Sequence, residues 1–96
     1  MIVHVVLVRW KESTTPSQAS EAKTTFLNLV SKISGLTGAY WGESEKGSSD
    51  GFAHGVVVMA EDPAALEAYH AHPDHHHLST LIGTLASNLS GANLQA

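Results

Sequence analysis

The sequence predicts a single α+β domain, residues 1–96, whose strands and helices follow the order βαββαβ. Three observations favour this class. A β-branched, apolar run opens the chain, helix-starting prolines occur at Pro16 and Pro63, and two strand-like segments lie between the helices that they begin. A domain of 96 residues buries only about 60 to 65% of the surface of its unfolded chain. We therefore expect a thin core that pairing with a second copy would enlarge.

The first predicted strand spans residues 2–11 and is apolar on both faces. Side chains alternate across a strand. One face carries His4, Val6, Val8 and Trp10, and the other carries Val3, Val5 and Leu7. We therefore expect both faces of this strand to be covered in the folded protein.

The first predicted helix begins at Pro16. Thr15 and Gln18 form a capping box, and proline is favoured at the first helical position. Helical spacing continues through six apolar positions: Ala19, Ala22, Phe26, Leu29, Val30 and Ile33. Gly35, which adopts positive φ easily, is the predicted end of this helix.

Two further strands are predicted after this helix, joined by a polar loop. Residues 36–45 form the second strand, residues 46–51 a mobile hairpin loop, and residues 52–59 the third strand. On the third strand, alternation places His54, Val56 and Val58 on one face.

The second helical region is predicted to consist of two helices. Pro63 follows a capping aspartate, whereas Pro73 removes a backbone donor and forces His72 out of helical geometry. A new helix therefore starts at Pro73. Its apolar stripe is formed by Leu78, Leu81, Ile82, Leu85 and Leu89. Gly91 is expected to end this helix, which leaves residues 92–96 as a short final strand.

Five of the seven histidines lie within residues 70–77, which is where acid–base chemistry is most expected. His75 lies about 60° from the centre of the apolar stripe, His77 about 100° and His76 about 160°. The helix dipole disfavours added positive charge in the first turn, so His75 is expected to be a neutral base near pH 7. His70, His76 and His77 are expected to be polar surface residues.

A tyrosine and three other histidines complete the set of candidates. Tyr69 lies on the inward face of the preceding helix, with His72 about 60° from it. His4 and His54 sit among valines on strand faces. A histidine in such a place is commonly a hydrogen-bonded core residue, and Tyr69 with His75 could equally form a satisfied pair at a helix junction.

Composition and charge exclude several classes of function. The net charge is −4 and the five basic side chains are scattered singly, so no basic stripe exists for nucleic acid. The apolar start is too short for a membrane span and lacks the basic leader of a signal peptide. No cysteine is present to act as a nucleophile or a metal ligand. We expect a soluble, cytoplasmic protein without a nucleic-acid or membrane partner.

A metal site competes for the same histidines. His72 with His75 or His76 has a spacing that suits two ligands on a helix, and histidine is the commonest metal ligand. However, no H-E-x-x-H pattern occurs, and neighbouring histidines on a helix face different directions. We therefore expect no physiological metal. No G-x-S-x-G elbow, phosphate-binding glycine loop or dinucleotide fingerprint is present, and no cofactor is expected.

The order of several short motifs resembles the stress-responsive dimeric α/β-barrel (Dabb) domain. The motifs are Arg9-Trp10-Lys11 after His4, then Tyr40-Trp41-Gly42, Gly51-Phe52-Ala53-His54, and Tyr69 followed by His72-Pro73-Asp74-His75. The resemblance spans nearly the whole chain. It implies a ferredoxin-like fold and a homodimer in which two sheets pack into a dimeric α/β barrel. It also implies a cavity in each protomer between the sheet and its helices.

The resemblance further implies cofactor-independent polyketide cyclase chemistry, an intramolecular aldol-type condensation of a poly-β-carbonyl substrate. His75 would remove a proton, and Tyr69 would position the base or donate to the developing enolate. The partner would be an apolar carbonyl-containing small molecule. Eight further residues are expected to contact it: His4, Val6, Val8, Phe26, His54, Val56, His72 and Ile82. The alternative is a noncatalytic stress-responsive or small-ligand-binding dimeric barrel protein, which a cavity filled by side chains would favour.

Overall fold

The computed structural model describes residues 1–45 and 51–96, and within them the predicted order βαββαβ is confirmed. The elements are β1 (Ile2–Trp10), α1 (Pro16–Val30), β2 (Leu36–Glu43), β3 (His54–Ala60), α2 (Pro63–Ala71), α3 (Pro73–Leu85) and β4 (Ala86–Gln95). The loop predicted over residues 46–51 lies, apart from its last residue, outside the described residues. The fold is ferredoxin-like.

The four strands form one antiparallel sheet in the order β2-β3-β1-β4. β1 is central, and Val6 lies between Val56 of β3 and Gly91 of β4. Its helix-facing side chains pack with those of β3 against the helices, and Val8, Phe26 and Leu29 are fully buried there. The core is therefore a single layer between one sheet face and the helices.

Both predicted helix starts are confirmed by their caps. The Gln18 amide N–H donates to Thr15 Oγ1 at 3.2 Å, and the Thr15 amide donates to Gln18 Oε1 at 2.9 Å. Asp62 Oδ1 accepts from the amide of Ala65 at 3.0 Å. The predicted break is also present, because His72 is extended, with ψ at 137°, and α3 begins at Pro73. None of the helices among the described residues is long and apolar enough to cross a bilayer.

The end of α1 was predicted too late. The helix stops at Val30, so Ile33 lies outside it, in the turn that leads to β2. Ser31 is the C-cap: its amide donates to the Leu27 carbonyl, and its hydroxyl donates to the Asn28 carbonyl at 2.7 Å, a local bond of the kind that competes with helix continuation. Gly35 does adopt positive φ, at 89°, but it serves the turn before β2 and not the helix end.

The predicted end of α3, at Gly91, was also wrong. Leu89 and Gly91 belong to β4, which starts at Ala86 and pairs with β1 along its length. Leu85 is the last helical residue, and its carbonyl accepts from the Lys11 amide at 2.9 Å. The segment after it is rich in serine, asparagine and glycine, which favour helices weakly, so the ladder with β1 determines its conformation.

Strand ends differ by one or two residues from the prediction. β1 stops at Trp10 and β2 at Glu43, whereas β3 starts at His54 and continues to Ala60. A hydrogen bond from the Ser44 amide to the Ala53 carbonyl, at 2.9 Å, extends the β2–β3 pairing past both strand ends.

Among the described residues, no helix packs on the second face of the sheet. A shallow groove of about 370 Å³ runs along it, lined by Val5, Leu7, Tyr40, Gly42, Gly55 and Val57 among others. Leu7 is 41% exposed and Tyr40 is 60% exposed. We call these six residues the open sheet face. We expected both faces of β1 to be covered. The helices cover one face, and the other is the open sheet face.

Substituting alanine for Gly35 and for Gly83 should change the free energy of unfolding in opposite directions. Gly35→Ala is expected to lower the free energy of unfolding by about 1 to 3 kcal/mol, because φ is 89° and the new Cβ would lie 2.9 Å from the Cβ of Ala65. Gly83 lies inside α3 with open space around it, so Gly83→Ala is expected to raise the same free energy by about 1 kcal/mol. Urea denaturation measures both. Equal effects of the two changes would contradict the described turn at Gly35.

Candidate functional site

A cavity of about 200 Å³ lies between the helix-facing side of the sheet and helices α2 and α3. It is lined by His4, Val6, Val56, Tyr69, His70, His75, Leu78, Ser79, Ile82 and Leu89. Half of these residues are aliphatic and the other half bring polar groups to the same space, a combination that occurs in small-molecule sites.

The helix break brings the two principal candidates together. Tyr69 lies near the end of α2 and is 2% exposed, whereas His75 lies in the first turn of α3 and is half-buried. Their ring centroids are 4.9 Å apart and their planes are inclined at 71°. Because the chain turns at His72, two residues that are six positions apart face the same cavity.

The pKa values of Tyr69 and His75 are shifted in opposite directions by their burial at the cavity. Burial raises the pKa of Tyr69 to about 12, so its hydroxyl keeps its proton over the physiological range. Burial lowers the pKa of His75, and the positive charges that His70, His4 and His76 would carry lower it further. Near neutral pH the site therefore offers a phenol that can donate and an imidazole that can accept a proton.

His4 reaches the cavity from the central strand. Its Nδ1 lies 2.6 Å from Oδ1 of Asn93, and since an amide oxygen can only accept, Nδ1 carries the proton. Nε2 is then the unprotonated nitrogen of the neutral ring. The His4 ring lies 6.2 Å from that of Tyr69, so it borders the same space.

His70, expected to be a surface residue, is exposed but contacts the site. Its ring centroid lies 4.9 Å from that of His4, 5.2 Å from Tyr69 and 5.0 Å from His75. Burial lowers its pKa, as does the charge of His4, while a hydrogen bond with the Leu66 carbonyl acts in the opposite direction. Spacing could have revealed this position, because His70 follows the buried Leu66 by four residues on one helix face.

Four of the eight residues predicted to contact a ligand line this cavity: His4, Val6, Val56 and Ile82. The structure places the other four elsewhere. Val8 and Phe26 are fully buried in the core and do not border the cavity. Leu78, Ser79 and Leu89 border it although they were not predicted to contact a ligand.

His54 and His72 also lie away from the cavity, and each has a local partner. Trp10 donates its indole N–H to Nδ1 of His54 at 2.6 Å, at the far end of the sheet. His72 caps α3, because its Nδ1 accepts from the amide of Asp74 at 3.0 Å. The break that exposes the first turn of α3 thus uses His72 as its cap. Among residues 1–45 and 51–96, no group of three or more histidines and carboxylates has the geometry of a metal site.

Comparison with known proteins identifies relatives over most of the chain. The family model of the Stress responsive A/B Barrel Domain matches residues 2–90. Olivetolic acid cyclase from Cannabis sativa is 30% identical over 76 residues, which cover 77% of this chain and 75% of the cyclase. Stress-response A/B barrel domain-containing protein HS1 from Arabidopsis thaliana is 29% identical over 87 residues, which cover 88% of this chain and 80% of that protein.

Solved structures share the fold. A dimeric ferredoxin-like protein of unknown function from Thermobifida fusca superposes with a TM-score of 0.88 at 23% identity. The superposition covers 99% of this chain and 90% of that one. At this level of identity the likeness supports the architecture alone.

Proposed function

The chain belongs to the stress responsive A/B barrel domain family, and we propose that it is a cofactor-independent, polyketide cyclase-like enzyme. Its reaction is an intramolecular aldol-type condensation of a poly-β-carbonyl compound, with His75 as base and Tyr69 as hydrogen-bond donor. The observation that carries the proposal is that these two groups, with pKa values shifted in opposite directions, face one apolar cavity. Similarity to olivetolic acid cyclase supports the same class of reaction.

The proposed condensation needs no reactant besides the substrate itself. Neutral His75 takes a proton from a carbon that lies between two carbonyl groups, and Tyr69 donates a hydrogen bond to the enolate oxygen. The resulting carbanion attacks a distant ketone carbon of the same molecule, which forms a C–C bond and an alkoxide. The imidazolium of His75 returns its proton to that oxygen. Loss of water and enolisation then give an aromatic ring.

The size and lining of the cavity limit the reacting part of the substrate. A space of about 200 Å³ is slightly larger than cavities of about 150 Å³ that hold benzene, so it suits one folded ring. Val6, Val56, Leu78 and Ile82 offer it no competing hydrogen bonds. The polar residues of the lining are His4, Tyr69, His70, His75 and Ser79.

The products formed from a trioxooctanoyl thioester of N-acetylcysteamine test this function. In buffer this linear compound can cyclise through oxygen to a lactone, whereas the proposed reaction forms a carbocycle. We expect the protein to accelerate carbocycle formation, with no comparable acceleration of lactone formation. Product ratios and rates identical to those in buffer would contradict catalysis and favour the alternative, a noncatalytic small-ligand-binding barrel protein.

We also propose that the open sheet face is covered by a second copy of this chain. It is apolar, it lies on the side of β1 away from the helices, and the similar Thermobifida fusca protein is described as dimeric. A protomer in which one sheet face is open has a thin core, and a two-sheet barrel would bury that face.

A charge at the centre of the open sheet face should separate the protomers. Leu7→Lys is expected to raise the dimer dissociation constant by about 100-fold or more, because an unpaired ammonium would be buried between two sheets. Leu27→Lys is the matched control, since Leu27 is 43% exposed but lies on α1. Light scattering across micromolar concentrations measures both variants. A wild-type monomer, or equal dissociation of both variants, would contradict this interface.

A further inference from the structure

His70 stands between the cavity and a second space on the outside of the protein. This outer groove has a volume of about 380 Å³ and runs between α2 and the end of β4. His70 lines both the groove and the inner cavity. On the cavity side its ring contacts the rings of His4, Tyr69 and His75. Among the described residues, His70 is the only one that lines both spaces.

Besides His70, the polar residues of the outer groove are Glu67, Asn93 and Gln95, and no lysine or arginine lines its described part. Oδ1 of Asn93 is engaged by His4, which leaves the Asn93 NH₂ group to donate. The Gln95 NH₂ group donates to the Met1 carbonyl at 3.4 Å, which leaves Gln95 Oε1 to accept. The groove thus offers a donor and an acceptor side by side, and its only described formal charge is the carboxylate of Glu67.

This arrangement suits a neutral amide and disfavours an anion. An amide carbonyl would accept from Asn93, and an amide N–H would donate to Gln95. A phosphate or carboxylate would meet Glu67 without a compensating cation. Apolar side chains of Ile2 and Leu66 also line the groove and can contact a short methylene chain.

We infer that His70 is a specificity-determining residue, past which the substrate extends a neutral, amide-bearing arm from the inner cavity into the outer groove. The inference rests on the proposed function for the identity of the reacting end, a poly-β-carbonyl group. His70 itself takes no part in the bond changes. It sets the width of the passage, and Asn93 and Gln95 recognise the arm.

Two acetoacetyl thioesters that differ only in the arm test the inference. The S-ethyl thioester ends within the cavity, whereas the N-acetylcysteamine thioester carries an amide. NMR titration of the histidine ring signals measures both dissociation constants without turnover. We expect wild-type protein to bind the amide probe about ten-fold more tightly, as one or two good hydrogen bonds allow. Equal binding of the two probes would overturn the inference.

His70→Trp should block the passage. We expect the preference for the amide probe over the S-ethyl probe, which is the ratio of their two dissociation constants, to fall to about one. His76→Trp is the matched control, because His76 is exposed and lines neither space, and it should keep the full preference. A preserved preference in His70→Trp, or its loss in His76→Trp, would overturn the inference.

A second variant decides the question if His70→Trp does not fold. Gln95→Leu leaves the ring cluster intact, removes the acceptor in the groove, and is expected to lower the preference at least three-fold, about the effect of one weak hydrogen bond. An unchanged preference would contradict recognition in the groove. The two acetoacetyl probes report binding without turnover. A protein that prefers the amide probe but forms no carbocycle from the trioxooctanoyl thioester would therefore contradict the proposed function and leave this inference standing.

Discussion

Replacing His75 by alanine is expected to slow carbocycle formation from the trioxooctanoyl thioester by about 10² to 10⁴-fold, the usual contribution of a positioned general base. The physical reason is that His75 is the half-buried imidazole in the first turn of α3, adjacent to Tyr69 across the cavity. Without it, His4 and His70 still border the cavity, but the imidazole adjacent to Tyr69 in the first turn of α3 is absent. Single-turnover measurement of product formation gives the rate directly.

The neighbouring histidine provides the control for this change. His76 follows His75 in the chain but is exposed and lies outside the cavity, so His76→Ala should leave the rate within about two-fold of wild type. His75→Gln, which keeps much of the side-chain volume, should be as slow as His75→Ala. Wild-type rates in both His75 variants would end the assignment of His75 as base.

Replacing Tyr69 by phenylalanine is expected to lower kcat by about 10²-fold, with a smaller effect on KM. Removing a donor that strengthens as an enolate forms costs the transition state more than the bound substrate. The ring contacts with His4, His70 and His75 involve the aromatic ring, so they are retained in Tyr69→Phe. Thermal denaturation should therefore give a transition temperature close to that of wild type.

The two changes together distinguish a catalytic pair from a structural one. If the Tyr69 hydroxyl only completed the hydrogen bonding of the helix junction, Tyr69→Phe would lower the transition temperature and leave kcat unchanged. If the pair acts together, His75→Ala with Tyr69→Phe should be little slower than His75→Ala alone, because residues that act as a unit are not additive. A fully multiplicative loss would contradict joint action on one step.

Much of the fold could be predicted because the signals that start and stop its helices are local in sequence. The capping box of Thr15 and Gln18 and the proline at position 73 act through neighbouring backbone groups, and both occur where expected. The end of α3 depends on a distant strand. Leu89 continues a helical spacing from Leu85, but hydrogen bonds to β1 place it in β4, and no local pattern reveals that competition.

Part of the candidate site could be predicted from local periodicity, and the rest depends on contacts between elements that are distant in sequence. A helical wheel places His75 and Tyr69 inward, and both line the cavity. Strand alternation puts Val8 on the same face as His4, but cannot show that Val8 is packed shut, whereas His4 borders open space. His70 was assigned to solvent, since a wheel describes one helix and omits the neighbouring His4 and His75.

The titration of His75 tests most directly whether it is the base in this cavity. Histidine-selective NMR of the wild-type protein, with His75→Gln to assign the signal, yields its pKa, and the pH dependence of kcat/KM yields the kinetic value. Because burial and neighbouring histidines lower the pKa of His75 from 6.5, its neutral form persists as the pH falls below that value. We predict that kcat/KM declines only as the pH falls through this lowered pKa, and that the two midpoints coincide. A His75 titration at or above 6.5, or an acid limb at a different pH, would contradict catalysis by a neutral His75 in this cavity.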